Sequence, residues 1–411
     1  MAGTAAAEPP RALNLAVLCV IETHPIQYHA PVWRQVQQTH GIPVTAIYGS
    51  DFSVAGYRDR EFGATFQWDT DLLSGYSPMF LSKVSEGGAR DDRAVTTRGL
   101  AEALRRAQPR AVLSVGYSPR FHSDAFRTAR RARLPVLFRG ETTDHAQRRG
   151  VLKRLARDTA LRWLYRRCAA LLHVGRRSRE HFRRLGFDTD ERHFSPYCVD
   201  TTPFRTDEAA RAELRGPTRR ELGVADDQRL IAFCGKLSPR KGPDLLLDAI
   251  RQLPERDRAR CVLLLVGDGE LKGELLARAA AVPPITVKHV GFKQQRELSA
   301  YYHAADLFVL PSRHGETWGL VVNEALHHGV PAVVSQAVGC APDLIEPGRT
   351  GEVCAADSAS ALAEALARAL PLAGGEQVRT QCRRQMENYT VARAAAGIAA
   401  AYQAVTAAKP S

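Results

Sequence analysis

Two carboxylates, Glu316 and Glu324, stand with seven residues between them in the stretch LPSRHGETWGLVVNEAL, which begins at Leu310. The first falls in a glycine-rich loop behind an apolar, strand-like run. The second falls about two turns into a helix that starts near residues 318–320. A carboxylate accepts a pair of hydrogen bonds from a diol, so this spacing suits the hydroxyls of a sugar and a ribose. The backbone N–H groups of Thr317, Trp318, Gly319 and Leu320, at the start of that helix, form a cradle for a diphosphate. The competing reading makes one glutamate a helix cap and the other a surface residue.

A second loop, CGKLSPRKGPDLL from Cys234, leaves a strand, turns at Gly235 and Pro239, and enters a helix. Lys236 and Lys241, five positions apart, can both reach an anion at that helix N-terminus, where the dipole already favours negative charge. A solvated basic loop is the alternative. The run VGDG ends another strand in a tight turn at Gly267 to Gly269, a feature common to many strands. The run VGF closes a third, where the backbone of Gly291 and Phe292 is placed to meet a base edge. In the first half, ETHPIQYH follows the first apolar run and offers His24 and Gln27. The run RGETTDH from Arg139 offers Glu141 and His145, with Glu141 either a group at the site or the cap of the next helix.

These loops need a scaffold. Apolar runs at residues 13–21, 44–48, 111–115, 136–139 and 171–174 alternate with helical stretches such as 29–40. A second series runs through 230–234, 261–266, 285–290, 307–310 and 331–335. Continuous Val, Leu and Ile runs between amphipathic helices predict parallel sheets covered on both faces. Two such series in 411 residues give an α/β fold of two doubly wound, Rossmann-like domains facing a central cleft. The expected division is residues 1–205, 206–385 and a C-terminal, alanine-rich helix within 386–411. The linker is expected at 201–224, polar and holding Pro203 and Pro217. Residues 50–95, rich in Gly, Asp and Ser, read as a long insertion. Ligands of such sheets bind at the carboxyl ends of the strands, so the chemistry belongs in the cleft.

Composition narrows the function classes. The chain carries 57 Lys and Arg against 44 Asp and Glu, a net charge of +13. Residues 120–185 alone hold 19 bases and 5 acids, so the rest is nearly neutral. That concentration argues against a uniformly basic coat or histone-like protein. The 8 cysteines are dispersed, without zinc spacing, and read as buried thiols in a reducing cytoplasm. The N-terminus lacks the order of a signal peptide, and no apolar run approaches a membrane span. The expected location is the cytoplasm, with a peripheral position at the inner face of the membrane as the further reading.

Taken together, the loops resemble those of the retaining family-4 glycosyltransferases of the GT-B fold, the glycosyl transferases group 1. The similarity rests on GKLxxxKG, VGDG, VGF, YxxADLFVLPS and the E-x7-E element Glu316 to Glu324, and covers about residues 231–352. The resemblance implies that Glu316 holds hydroxyls of a donor hexose, Glu324 holds the ribose, and Lys236 and Lys241 neutralise the diphosphate leaving group. Arginine usually stands at the first basic position, so Lys236 offers a point charge in place of a bidentate fork. The first half is similar more loosely. Where many relatives place a histidine near the donor sugar, this sequence has Gly140 and Glu141, and Glu141, His145 and His24 are the candidates to replace it.

The implied reaction moves a hexose from a nucleoside diphosphate sugar to an acceptor hydroxyl with retention, without a metal or other cofactor. The departing phosphate oxygen would serve as base for the incoming hydroxyl. The acceptor is a saccharide, a lipid-linked saccharide or a small molecule. An epimerase of the same fold is the alternative enzyme reading. A nucleic-acid binder using residues 120–185 is the rival from another class, but no nucleic-acid partner is expected, because that block shows no recognised binding pattern. An anionic membrane surface, an anionic acceptor and a merely solvated arginine-rich face remain the readings of the block.

Overall fold

The structure is a computed structural model that describes residues 17–58, 65–66, 70–145, 150–280 and 285–407. Its N-terminal lobe holds β1 (Leu18–Glu22), β2 (Val44–Tyr48), the short pair β3 (Tyr57–Arg58) and β4 (Thr65–Phe66), β5 (Ser77–Phe80), β6 (Ala111–Ser114), β7 (Val136–Gly140) and β8 (Ala170–His173). The helices of this lobe are α1 (Ala30–His40), α2 (Leu100–Ala107), α3 (Arg120–Arg131), α4 (Val151–Tyr165) and α5 (Arg176–Arg184). The C-terminal lobe continues with α6 (Glu208–Glu221), β9 (Arg229–Cys234), α7 (Pro243–Gln252), α8 (Glu255–Arg258), β10 (Cys261–Val266), α9 (Lys272–Ala279), β11 (Thr286–Gly291), α10 (Gln295–Ala304) and β12 (Leu307–Leu310). It closes with α11 (Leu320–His327), β13 (Ala332–Ser335), α12 (Ala341–Leu344), β14 (Gly351–Cys354), α13 (Ala359–Ala369), α14 (Glu376–Gln385) and α15 (Val391–Ala407).

Each lobe is one 6-stranded sheet, in the orders β5-β2-β1-β6-β7-β8 and β11-β10-β9-β12-β13-β14. Every pairing within these two sheets is parallel. This is the GT-B arrangement of two Rossmann-like domains. The order reverses beside β1 and beside β9, the switch points at which such sheets bind ligands. Central strands such as β10, CVLLLV, are buried throughout. That is why continuous apolar runs marked them, each buried leucine contributing about 2–3 kcal/mol.

Three expectations need correction. The stretch 201–224 is not a simple linker, because it contains the 14-residue α6 with Pro217 inside it. An interior proline costs a helix about 3 kcal/mol. Here Asp207 caps the start by accepting from the Ala210 N–H at 2.7 Å. Arg215 and Arg219 clamp the buried Asp306 at 2.5 and 3.0 Å. The insertion 50–95 is likewise not all loop, since β5 within it adds a parallel edge strand to β2. The first strand begins at Leu18, and the residues expected before it include positions outside those described. All 8 cysteines are free thiols, and all but Cys168 are buried. Among the described residues no helix is long and apolar enough to cross a membrane.

The N-terminal sheet has a different cover on each face. α2 to α5 pack Phe121, Phe126, Leu161, Tyr165 and Phe182 on one side. On the other, α1 and α15 pack Trp33, Ala394, Ala395, Ile398 and Tyr402 against Leu18 and Val20. The alanines of α15 let it lie close to the chain it crosses. At Gly397 an added Cβ would sit 2.1 Å from the Phe194 carbonyl oxygen. Gly397→Ala is therefore expected to destabilise the fold by about 1–3 kcal/mol through overpacking. A melting temperature equal to the parent's would show that the helix can shift to make room.

Candidate functional site

The site is assembled where the loops behind β9 and β12 meet the loops behind β1 and β7. Arg313, just past β12, grips Asp244 of α7 bidentately at 2.8 and 2.6 Å, and its backbone N–H donates to the Arg240 carbonyl at 2.9 Å. This clamp brings the 238–244 turn against the 311–319 loop and aims Lys241 inward. Asp244 holds the Arg313 guanidinium well above its ordinary pKa. Lys241 Nζ lies 2.5 Å from Glu316 Oε2, which also accepts from Ser312 Oγ at 3.1 Å, with Arg240 Nη1 at 3.5 Å. In the structure, then, the expected phosphate-binding lysine and the expected sugar-binding glutamate neutralise each other. Lys236 lies in the turn after β9, partly exposed, where its carbonyl accepts from the Ser238 N–H at 2.9 Å.

The loop past Glu316 is fixed from both sides. Gly319 caps α11 in the left-handed region at φ 101°, a conformation that favours glycine. Trp318 is buried and its Nε1 donates to Asn323 Oδ1 at 2.8 Å. In the first turn of α11 the Val322 N–H already donates to the Gly319 carbonyl at 2.9 Å, while the N–H groups of Leu320 and Val321 precede the intrahelical ladder and can meet an anion. Glu324, one turn in, is buried and accepts from the Tyr302 hydroxyl at 2.7 Å. Burial pushes its carboxyl up to about 7, partly offset by that hydrogen bond. Gly235 follows β9 and Gly291 ends β11, the two strands that flank β10, with Gly235 N–H donating to the Val266 carbonyl and the Gly291 carbonyl accepting from Gly267 N–H, at 2.9 and 2.8 Å. Phe292, next to Gly291, keeps its ring exposed.

The N-terminal lobe supplies Glu141. Its Oε2 accepts from Thr317 Oγ1 across the cleft at 3.1 Å and from the Tyr197 hydroxyl. Tyr197 is in turn set by a buried polar chain. Its ring stacks on His29 at 6.3 Å and lies 5.1 Å from the Arg139 guanidinium. Arg139 donates to Ser195 Oγ at 2.9 Å and to the Pro196 carbonyl at 2.9 Å, and meets His29 Nε2 at 3.4 Å. His29 Nδ1 closes the chain on Glu22 at 2.5 Å. A buried network of this kind holds one geometry only when its members are all partnered.

Gln27 is buried near this junction, and its Oε1 has no partner in the structure. Tyr28 beside it bonds Gln27 and counts Glu324 and Glu316 of the other lobe among its charged neighbours, with burial raising its phenol far above 10. His24 is a less central candidate. It contacts Thr23 Oγ1 at 2.9 Å and the Phe52 ring at 4.4 Å, and burial lowers it to about 4, so its ring is neutral at physiological pH. His145 is exposed, with Arg177, Asp144 and Glu180 as its charged neighbours, and burial lowers its pKa. The geometry thus joins Glu316, Lys241, Thr317 and Glu141 directly. Tyr28, inside ETHPIQYH, and Tyr197, at the crossing between the lobes, are the residues that the sequence alone did not single out.

The profile of the glycosyl transferases group 1 matches residues 215–389. The chain is also similar to D-inositol 3-phosphate glycosyltransferase of Actinosynnema mirum, 40% identical over 164 residues, covering 38% of this chain and 39% of that one. The same-named protein of Xylanimonas cellulosilytica is 37% identical over 175 residues, 41% of each chain. The chain therefore matches about two-fifths of the length of these curated relatives. Over nearly the whole chain the likeness to solved structures is one of fold. Anabaena Alr3699/HepE in complex with UDP and glucose superposes with a TM-score of 0.64 at 16% identity, over 94% of this chain and 100% of that one. WaaG, a glycosyltransferase involved in lipopolysaccharide biosynthesis, gives 0.61 at 18% identity over 95% and 100%.

Proposed function

We propose that this chain transfers a hexosyl group from a nucleoside diphosphate sugar to an acceptor hydroxyl, with retention of anomeric configuration and without a metal. The observation that carries the reading is the Lys241–Glu316 pair, at 2.5 Å, placed before the N-terminus of α11 and opposite Glu141. A diphosphate entering there takes over Lys241 and frees the Glu316 carboxylate for sugar hydroxyls. Glu324 meets the ribose, and Phe292 with the backbone of Gly291 offers a face and an edge to the base. Lys241, Lys236 and the first-turn N–H groups of α11 stabilise the charge that grows on the leaving diphosphate, an interaction stronger in the transition state than before it. The leaving phosphate oxygen takes the proton of the acceptor hydroxyl on the face it departs from. Glu141 and the unpartnered Gln27 Oε1 are the acceptors on the opposite wall for hydroxyls of donor or acceptor. The free thiols favour a cytoplasmic setting.

The test is a donor panel of UDP-, GDP- and dTDP-hexoses, read by thermal shift and by slow hydrolysis. UDP-glucose goes first, because HepE was crystallised with UDP and glucose. One donor is expected to raise the melting temperature and release its nucleotide, and proton NMR of the first-formed sugar is expected to show the donor's own anomeric configuration. An inverted product removes the retaining mechanism, and the absence of any donor response removes the transferase reading.

A further inference from the structure

Six large apolar side chains are highly exposed among the described residues, and four of them lie on α4: Val151 at 75%, Leu152 at 82%, Leu155 at 60% and Trp163 at 49%. Leu152, Leu155 and Trp163, with Thr159 between them, recur at helical spacing and form one stripe. The opposite face of α4 is already used, since Leu161, Leu164 and Tyr165 pack into the lobe. A helix apolar on two sides has one side too many for a solvated surface.

The charges beside the stripe have one sign. Lys153, Arg154 and Arg166 are exposed, and Arg167 stacks its guanidinium 3.9 Å from the Trp163 ring. Asp158, the single acid of α4, is buried and held by Arg184 at 2.5 Å, so it does not offset them at the surface. Trp163 also lines an apolar cavity of about 440 Å³ shared with Tyr117, Phe126 and Leu164, so the apolar surface continues inward between α3 and α4.

We propose that this face of α4 docks the chain on an anionic lipid bilayer, with the stripe entering the headgroup boundary and the bases meeting lipid phosphates. Apolar residues flanked by Lys and Arg on an outward helix face are what such a surface binds. A second copy is the weaker occupant. A two-fold contact through this patch would set the bases of one α4 against the same bases of the other. The proposal goes beyond the transfer reaction and does not depend on it.

Co-sedimentation of the full chain with vesicles tests it, using phosphatidylcholine alone and phosphatidylcholine mixed equally with phosphatidylglycerol. The chain is expected to pellet with the anionic vesicles and to remain in solution with the neutral ones. Leu152→Ser, Leu155→Ser and Trp163→Ser together are expected to lower the partition by about tenfold or more. Lys153→Gln, Arg154→Gln and Arg166→Gln together are expected to give a loss of similar size, which added salt mimics. All these positions except Trp163 lie well out in solvent, so melting curves should match the parent's and separate lost docking from lost folding. Equal pelleting on neutral vesicles, parent-like pelleting of the serine variant, or a parent dimer that this variant turns into a monomer each overturns the proposal. Nucleotide release measured without vesicles reports the transfer reading separately.

Discussion

Replacing Glu316 with alanine is expected to lower turnover by at least about a thousandfold, or about 4 kcal/mol, while UDP or its counterpart binds within a few-fold of the parent. The carboxylate is one partner in a tight pair, and its neighbours Lys241, Ser312 and Arg240 all belong to the same lobe. Under the proposed function, removing it deletes the acceptor for the sugar hydroxyls, which matters most when the ring flattens toward the transition state. It also releases Lys241, which then meets the diphosphate without first giving up a partner. Nucleotide affinity should therefore hold or tighten as turnover collapses. Calorimetry with the nucleotide and a product assay read the two halves of the prediction. Turnover within tenfold of the parent would remove Glu316 from the reaction.

Glu324→Gln is expected to separate stability from binding. The folded protein holds this proton at about 7, and an unfolded glutamate at 4.5. Below pH 4.5 both states are protonated, and burial of the neutral acid costs the fold no charge. As pH rises from 4.5 to 7 the unfolded chain releases the proton first, so stability falls by about 3 kcal/mol across that window and then levels off. Glutamine cannot ionise. The variant should match the parent near pH 4 and exceed its stability by up to about 3 kcal/mol at pH 8, as denaturant titrations would show. Donor affinity should do the opposite. In the parent it rises through pH 7 as the carboxylate forms and accepts the ribose hydroxyls, whereas in the variant it is about tenfold weaker and flat. Identical stability profiles for the two proteins would mean that Glu324 is solvated and ionised throughout.

The parts of the molecule that the sequence made legible share a physical cause. Strands buried on both faces, such as CVLLLV in β10, must be apolar at every position and announce themselves. β5, SPMF, and β14, GEVC, lie at sheet edges, where one side has no strand partner and composition is free to vary. α6 was hidden because what secures it is distant, the buried Asp306 clamped by Arg215 and Arg219. The C-terminal half of the site was readable because each loop carries its own groups over a short stretch, as Lys241 and Glu316 do. Tyr197 and Tyr28 acquire their roles only when the two lobes meet, which no local pattern encodes. The apolar face of α4 was invisible for a related reason: composition does not say which side of a helix another element covers.

The chain passes between the lobes twice, and the two passages lie side by side. Ser195 Oγ donates to the Ala394 carbonyl at 2.9 Å, and the rings of Phe194 and Tyr389 stand 5.8 Å apart. The lobes also meet where the Arg176 N–H donates to Asp343 Oδ1 at 2.9 Å and where Thr317 Oγ1 donates to Glu141 Oε2 at 3.1 Å. A change in how the lobes sit has to break or stretch these ties while the paired passages hold the two bodies together, so a pair of probes at Thr317 and Glu141 would report it directly.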